Sequence, residues 1–448
     1  MPTNVFQDLL NTLTRKDTRA RRARSGPPSS PEQLQAECEQ LLASDGEASS
    51  MSRARSIFSL YAALPDVEAR RDFFQRLYQH FNPDPEPLQQ AFQAYAEDAS
   101  PAHAQQLFEA CEPPRQEILR RLNLAPGGTR ELVSMRADLL ALLADNPELK
   151  VVDRDFGHLF GSWFNRGFLV LRQIDWHSSA SVLEKLIEYE AVHEIRDWDD
   201  LQRRLDPRDR RCFAFFHPAL GDEPLIFVEV ALTDKIPDTS HDVTHAEHGD
   251  YPSETARVAA FFGISNCQPG LKGISFGNFL LKQVVRELKH ELPNLDTFVT
   301  LSPVPGLDRW LRQVRNGETD GPSLSAQQAA TLAVLDSPDW HTNSSEQQLN
   351  SLRDTLLPLA AGYLATAKNR IGLPLNPVAR FHLRNGARME HIKWLGDTSD
   401  KNIRSGAGLM VNYVYDIDQI ESNHERLTSD GTIAASREVR RLVRQAQD

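Results

Sequence analysis

Between residues 31 and 165 the apolar positions recur at helical spacing. Phe74, Leu77, Tyr78 and Phe81 stand at i, i+3, i+4 and i+7, and Leu132, Met135, Leu139 and Leu142 keep the same period to within one position. Each group therefore forms a stripe on one helix face. Pro, Asp and Gly interrupt the segments and β-branched runs are few, so this half is predicted to be all-α. No cluster of His, Cys or paired carboxylates lies at ligand spacing there. The stripes read as bundle packing or as contacts between subunits, and no chemistry is expected from them.

Beyond Gly167 the period changes. GFLVLRQI, RCFAFFHPAL, PLIFVEVALT, ARVAAFFGISN and DTFVTLSPV are short β-rich runs that predict sheet strands. Gly221, Asp222, Glu223 and Pro224 separate the second run from the third, which is turn chemistry and predicts an antiparallel pair. Helical patterns intervene at SASVLEKLIEYEAVHEI, GNFLLKQVVRELKHEL and LRDTLLPLAAGYLATAKN. The chain is thus predicted to be a multidomain α+β protein: an N-terminal all-α helical bundle, then a mixed α/β domain. The polar stretch DTSHDVTHAEHGDYPSE reads as a loop. It holds His241, His245 and His248 at i, i+4 and i+7, but with no clear helix beneath them no metal site is expected.

Composition narrows the function classes. The 448 residues, 40% of them hydrophobic, exceed one small core and suggest two or more domains. Fifty Lys and Arg against 62 Asp and Glu leave a net charge of −12, which argues against a nucleic-acid groove over the whole surface. Cys38, Cys111, Cys212 and Cys267 are scattered and form no CxxC pair, which fits a reducing compartment. No apolar run approaches the roughly 20 residues that span a bilayer, and neither a membrane nor a nucleic-acid partner is expected. VFQDLLNTLTRKDTRARRARSGPPSS reads as a short helix and a flexible basic tail, and the cytoplasm is the expected location. The expected organisation is a flexible segment over 1–30, a helical and oligomerising domain over 31–165, and a catalytic domain over 166–448.

Three stretches carry candidate chemistry. From 256 to 292 an apolar strand runs through a Gly-rich loop into an amphipathic helix, with Gly270, Gly273 and Gly277 able to bring backbone close to an anion and Lys272 adding a charge. It matches neither the P-loop nor the Rossmann fingerprint, and an ordinary connection would also fit. After DTFVTL, Ser302 is followed by Pro303 and Pro305, which cannot donate to a neighbouring strand. The strand must end or splay there, and Ser302 then stands at the mouth of a slot, or is simply a turn residue. In NPVARFHLRNG, Asn376 suits an N-cap, Pro377 the first turn and Gly386 the left-handed position past the end. This predicts a helix of roughly two to three turns. Val378, Phe381 and His382 share its expected inward face, which makes His382 either a satisfied core histidine or a site residue.

NPVARFHLRNG resembles the short helix of the GNAT acyltransferase superfamily that brings a Tyr near the thioester sulfur of acetyl-CoA, with His382 in the Tyr position. The strand, Gly loop and helix at 256–292 resemble that superfamily's pyrophosphate-binding motif. FFGISNCQPGLKGISFGNFLLKQVV, FVTLSPVPGLDRWL, NPVARFHLRNGARMEHIKWLGDTS, SGAGLMVNYVYD and HPALGDEPLIFVEVALT are similar to blocks of the malonyl-CoA decarboxylase family. The similarity covers most of residues 160–440.

The resemblance implies a GNAT-like catalytic domain with a splayed central sheet, malonyl-CoA as substrate, acetyl-CoA and carbon dioxide as products, and no metal, biotin or pyridoxal. It implies Ser302 as proton acceptor and His382 as proton donor, Tyr415 of VNYVYD near the site, and a CoA-contacting loop of Lys272, Gly273, Ile274, Ser275, Phe276, Gly277 and Asn278. It also implies a homotetramer assembled through the helical domain. The residues alone leave it open whether His382 protonates the enolate or holds its oxygen, and whether Ser302 orients the carboxylate or relays a proton. An acyltransferase passing an acyl group to an amine and a non-catalytic CoA sensor are the competing classes.

Overall fold

The protein is described by a computed structural model over residues 29–446, apart from 191, 245–252, 275–279 and 320, and these form two compact units. Of the stretch expected as a flexible tail, residues 1–28 lie outside the described residues. So do His245 and His248 of the polar loop, and Ser275, Phe276, Gly277 and Asn278 of the expected CoA-contacting loop.

The first unit takes in the chain up to Val170, together with 216–223 and 268–274. It is helical because its polar breaks act as caps. Ser30, Asp66, Asp84 and Ser100 each accept a backbone N–H from the first turn that follows, and Pro31, Pro85 and Pro101 fill first-turn positions. Phe74, Leu77, Phe81, Leu132, Met135 and Leu139 are buried, so both stripes pack within this unit, with Tyr78 and Leu142 half-buried at their margins. The helices Pro85–Glu97 and Pro101–Cys111 bury no residue, and Phe92, Tyr95 and Phe108 are exposed on them.

Helix α1 (Gly128–Leu142) anchors the two inserted segments. Arg130 Nη2 donates to Leu220 O at 2.9 Å. The buried Arg136 donates from Nη1 to Gly270 O at 2.7 Å and Lys272 O at 3.0 Å, and from Nε to Asp153 Oδ1 at 2.8 Å. Gly270 lies so close that a Cβ there would meet Val133 O at 1.9 Å. The helical sequence therefore does more than pack: it fixes the backbone of residues 270–272, although no such role was legible in its apolar stripes.

The second unit is built on one open sheet of order β1-β2-β3-β4-β5-β7-β6, with β1 (Val170–Ile174), β2 (Arg210–Phe216), β3 (Pro224–Thr233), β4 (Val258–Asn266), β5 (Thr297–Pro303), β6 (Arg388–Lys393) and β7 (Met410–Val414). Leu232 N donates to Asp209 O, so the end of β3 lies beside the start of β2 and the expected hairpin is antiparallel. β3 and β4 are antiparallel, β4 and β5 parallel, and β7 runs antiparallel to both β5 and β6.

The predicted splay lies between β4 and β5. Glu229 pairs with Gly263 and Val230 with Phe261, which leaves Phe262 as an extra residue on β4. A bulge of this kind bends the strand that carries it. Parallel pairing with β5 stops at the same level, at Phe261 opposite Thr300, while β4 continues to Asn266 and β5 to Pro303. One face of the sheet is closed by Ala231, Val258, Ala260, Phe262, Val299, Leu301 and Met410. By alternation the opposite face carries Phe298, Thr300 and Ser302 from β5 and Tyr413 from β7.

Two helix expectations require correction. The helix at 179–195 stops at Tyr189, because the Glu190 side chain accepts the backbone N–H groups of Val192 and His193 and turns the chain. The helix expected from residue 352 begins at Glu346, where Ser345 and Gln348 form a capping box. Strands β6 and β7 were not foreseen.

Candidate active site

The site begins with helix α2 (Pro377–Arg384). Asn376 caps it as expected, accepting Ala379 N at 2.8 Å, and Gly386 takes φ +81° past its end. The inward face differs from the expected one by a residue. Ala379, His382 and Leu383 are buried, while Val378 is only half-buried and Phe381 is 40% exposed. Both sets obey the i, i+3, i+4 rule, so the spacing alone does not choose between them. The Asn376 Nδ2 group donates to Pro305 O at 2.9 Å, and Tyr363 OH donates to the same carbonyl at 3.1 Å. The start of the helix is thereby tied to the end of β5.

This arrangement places His382 over the Thr300 and Ser302 face of the sheet. The ring stacks on Tyr413 with centroids 4.6 Å apart and planes 22° from parallel. His382 Nε2 lies 3.0 Å from Ser302 Oγ, and Nδ1 lies 2.8 Å from Tyr415 OH. Ser302 Oγ donates onward to Thr300 Oγ1 at 3.0 Å, and Thr300 Oγ1 also accepts Tyr413 N at 3.3 Å. All five residues are buried, with Thr300 wholly so, Ser302 6% exposed and His382 2% exposed. A buried polar group left unpaired costs about 1–3 kcal/mol, and here Ser302 Oγ, Thr300 Oγ1, both His382 ring nitrogens and Tyr415 OH each have a partner.

Burial pushes the His382 imidazole down to about 3, so the ring is neutral at pH 7. Burial, with Tyr413 beside it, pushes the Tyr415 hydroxyl well above its usual value. Tyr413 is raised for the same chief reason. The chain of hydroxyl, imidazole and phenol is therefore uncharged at rest, and it can pass protons without holding a permanent buried charge.

The candidate residues fall into two groups. Ser302, His382 and Tyr415 are brought together in the second unit. Lys272 and Gly273 are exposed and Ile274 is half-buried in the first, with Gly273 at φ +81°. Sequence reasoning missed Thr300, Tyr413 and the second role of Asn376. Period-two alternation would have flagged two of them: Thr300 precedes Ser302 by two residues, and Tyr413 precedes Tyr415 by two. The tie from Asn376 to Pro305 has no sequence signal. Among the described residues no group of three or more His, Cys, Asp or Glu is arranged to hold a metal, and His241 opens the short helix His241–Thr244.

The chain is similar to known proteins over most of its length. Residues 81–164 match the malonyl-CoA decarboxylase N-terminal domain, and residues 167–448 match the malonyl-CoA decarboxylase C-terminal domain. The crystal structure of malonyl-CoA decarboxylase from Rhodopseudomonas palustris is 50% identical, with 92% of this chain and 100% of that chain covered and a TM-score of 0.89. The corresponding structure from Agrobacterium vitis is 49% identical, covers 92% and 99% of the two chains, and has a TM-score of 0.86. The mitochondrial malonyl-CoA decarboxylase of Rattus norvegicus is 35% identical over 423 residues, covering 87% of this chain and 85% of that protein. With both domain models matched in order and full-length relatives at this identity, the chain belongs to the malonyl-CoA decarboxylase family.

Proposed function

We propose that this chain decarboxylates malonyl-CoA to acetyl-CoA and carbon dioxide at the Ser302 and His382 pair. The observation that carries the reading is the buried 3.0 Å contact between Ser302 Oγ and His382 Nε2, on the stretch of β5 beyond its last β4 partner. Family membership supports it, since the matching relatives bear the name malonyl-CoA decarboxylase.

The chemistry asks little of the protein. The bond between the methylene and the carboxylate carbon breaks, carbon dioxide leaves, and the electron pair enters the thioester as an enolate. A preorganised donor at the thioester oxygen supplies the main stabilisation. One proton must then reach the methylene carbon, and one is regained from solvent before the next turnover. His382 is the group proposed to give hydrogen to the enolate. Ser302 orients the departing carboxylate or passes the proton on, and Tyr415 supports the imidazole from behind. Because the thioester carbonyl itself accepts the electron pair, metal, biotin and pyridoxal are not required by this route.

CoA is proposed to meet the loop from Lys272 to Asn278, where the exposed Lys272 and the left-handed Gly273 suit an approaching anion. Assembly as a homotetramer through the helical region and action in the cytoplasm belong to the same proposal. For the first, the exposed Phe92, Tyr95 and Phe108 supply apolar surface; for the second, the four cysteines are scattered along the chain with no CxxC spacing.

The test is incubation of the chelator-treated protein with malonyl-CoA, following products by mass spectrometry. Acetyl-CoA should form at a rate unchanged by chelator. Unreacted malonyl-CoA would remove the reading, and an acylated amine in place of acetyl-CoA would favour an acyltransferase.

A further inference from the structure

We propose that Thr300 is a positioning residue that sets the direction of the hydrogen-bond chain, so that His382 carries its proton on Nε2, facing Ser302. The count of hydrogens fixes this direction, and its mechanistic meaning rests on the proposed decarboxylase function. A hydroxyl has one hydrogen to give. Ser302 gives its own to Thr300 Oγ1 at 3.0 Å. Ser302 Oγ then meets His382 Nε2 at 3.0 Å as an acceptor, so an N–H must point at it. A neutral imidazole has one N–H, which leaves Nδ1 bare. Nδ1 lies 2.8 Å from Tyr415 OH and is satisfied when that hydroxyl donates. The direction therefore runs from Tyr415 through His382 and Ser302 to Thr300.

Thr300 is held for this task. It is completely buried, and it lies opposite Tyr413 in the β5–β7 ladder. Its Oγ1 accepts Tyr413 N at 3.3 Å as well as the Ser302 hydroxyl, so the strand pairing itself orients the oxygen. Without that acceptor, the partner left for the Ser302 hydrogen among the described residues is Nε2. The chain would then reverse, with Nδ1–H donating to the Tyr415 oxygen.

The direction matters for a neutral histidine. A ring that gave up its Nε2 hydrogen while Nδ1 stayed bare would become an imidazolate. With Tyr415 donating to Nδ1, the ring gains a hydrogen on one side as it gives one on the other. One proton leaves Tyr415, one reaches the enolate carbon, and the ring ends neutral. The carbon of a thioester enolate is a much stronger base than a phenolate, so the transfer runs downhill even with Tyr415 raised by burial. When the product leaves, Nδ1 returns its hydrogen to the Tyr415 oxygen and solvent reprotonates Nε2, which restores the starting tautomer.

The direct test is the imidazole nitrogen NMR spectrum of the full-length protein with labelled histidine. The His382 signals, among those of 14 histidines, are assigned by their loss in His382→Gln. Wild type should show a protonated Nε2 and a bare Nδ1. Thr300→Val should shift the population toward the Nδ1–H form and lower kcat by about 10- to 100-fold with KM within about twofold. Thr300→Ser, which keeps the oxygen, should restore both. A wild-type spectrum with the proton on Nδ1 overturns the proposal, as does Thr300→Val with the wild-type tautomer. Should Thr300→Val fail to fold, the wild-type and Thr300→Ser spectra decide alone. Absence of acetyl-CoA formation by wild type would count against the decarboxylase reading, while the tautomer still judges the role of Thr300.

Discussion

Asn376 and Pro305 are joined by a 2.9 Å hydrogen bond from the Asn376 Nδ2 group to the Pro305 carbonyl, and the same side chain caps the helix that carries His382. One buried amide thus fixes both the start of the helix and its distance from the end of β5. Asn376→Ala removes the cap and leaves a carbonyl short of one donor. It should cost about 2 kcal/mol of stability, and it should lower kcat more than it raises KM, because the Ser302 to His382 spacing loosens. Denaturant unfolding with steady-state kinetics checks both. Loss of stability with kcat unchanged would mean the tie does not set the catalytic spacing.

The depressed His382 predicts a stability slope in acid. Its value in the folded protein is about 3, against an ordinary 6.5, so between these limits the unfolded chain binds the extra proton. Stability from this group is therefore present above pH 6.5 and is lost as pH falls toward 3, by on the order of a few kcal/mol in all. Urea midpoints from pH 7 to pH 4 should fall more steeply for wild type than for His382→Gln. Parallel curves would contradict a neutral buried ring.

Glu229 predicts a slope of the opposite sign. It is 1% exposed on β3, both its oxygens lack a hydrogen-bond partner, and Arg204 Nη1 is 3.5 Å away. Burial, then repulsion from Glu190, pushes it up to about 8 from an ordinary 4.5. The folded protein holds a proton that the unfolded chain releases, so stability falls as pH rises from 4.5 to 8. In Glu229→Gln that loss should be absent, and the variant should gain on wild type between pH 5 and pH 8 in urea unfolding. An equal response of the two proteins would show Glu229 ionised in the fold.

Gly270 predicts a steric effect inside the first unit. A Cβ there meets a backbone oxygen of α1, not a side chain that could swing away. Gly270→Ala should destabilise by about 1–3 kcal/mol and should increase amide exchange at 270–274, because Arg136 loses its two carbonyl partners. Exchange unchanged in that segment would mean the loop is held by something other than α1.

Much of this architecture was legible in the chain. The 3.6-residue stripes marked the helical unit, and β-rich runs marked five of the seven strands. The two prolines after Ser302 marked where β5 must leave its neighbour. Asn376, Pro377 and Gly386 bounded the histidine helix because caps are local chemistry. What escaped detection was long-range. RMEHIK and MVNYV are short, and their strand character comes from pairing with each other and with β5. The inward face of α2 was displaced by one residue because two overlapping faces satisfy the same spacing, and the long-range contacts of Asn376 with Pro305 and of His382 with Ser302, Tyr413 and Tyr415 hold the one that is buried. Arg136 looked like one more charge on a helix. Its partners are backbone carbonyls more than 130 residues away in the chain, and no local pattern encodes that.

The central claim is that the Ser302 and His382 contact performs a decarboxylation. Its most direct test is acetyl-CoA formation from malonyl-CoA by wild type, Ser302→Ala and His382→Ala, each shown to be folded by its unfolding transition. Wild type should turn over, and each variant should lose on the order of 100-fold or more in kcat. Folded variants that keep wild-type kcat would contradict the account.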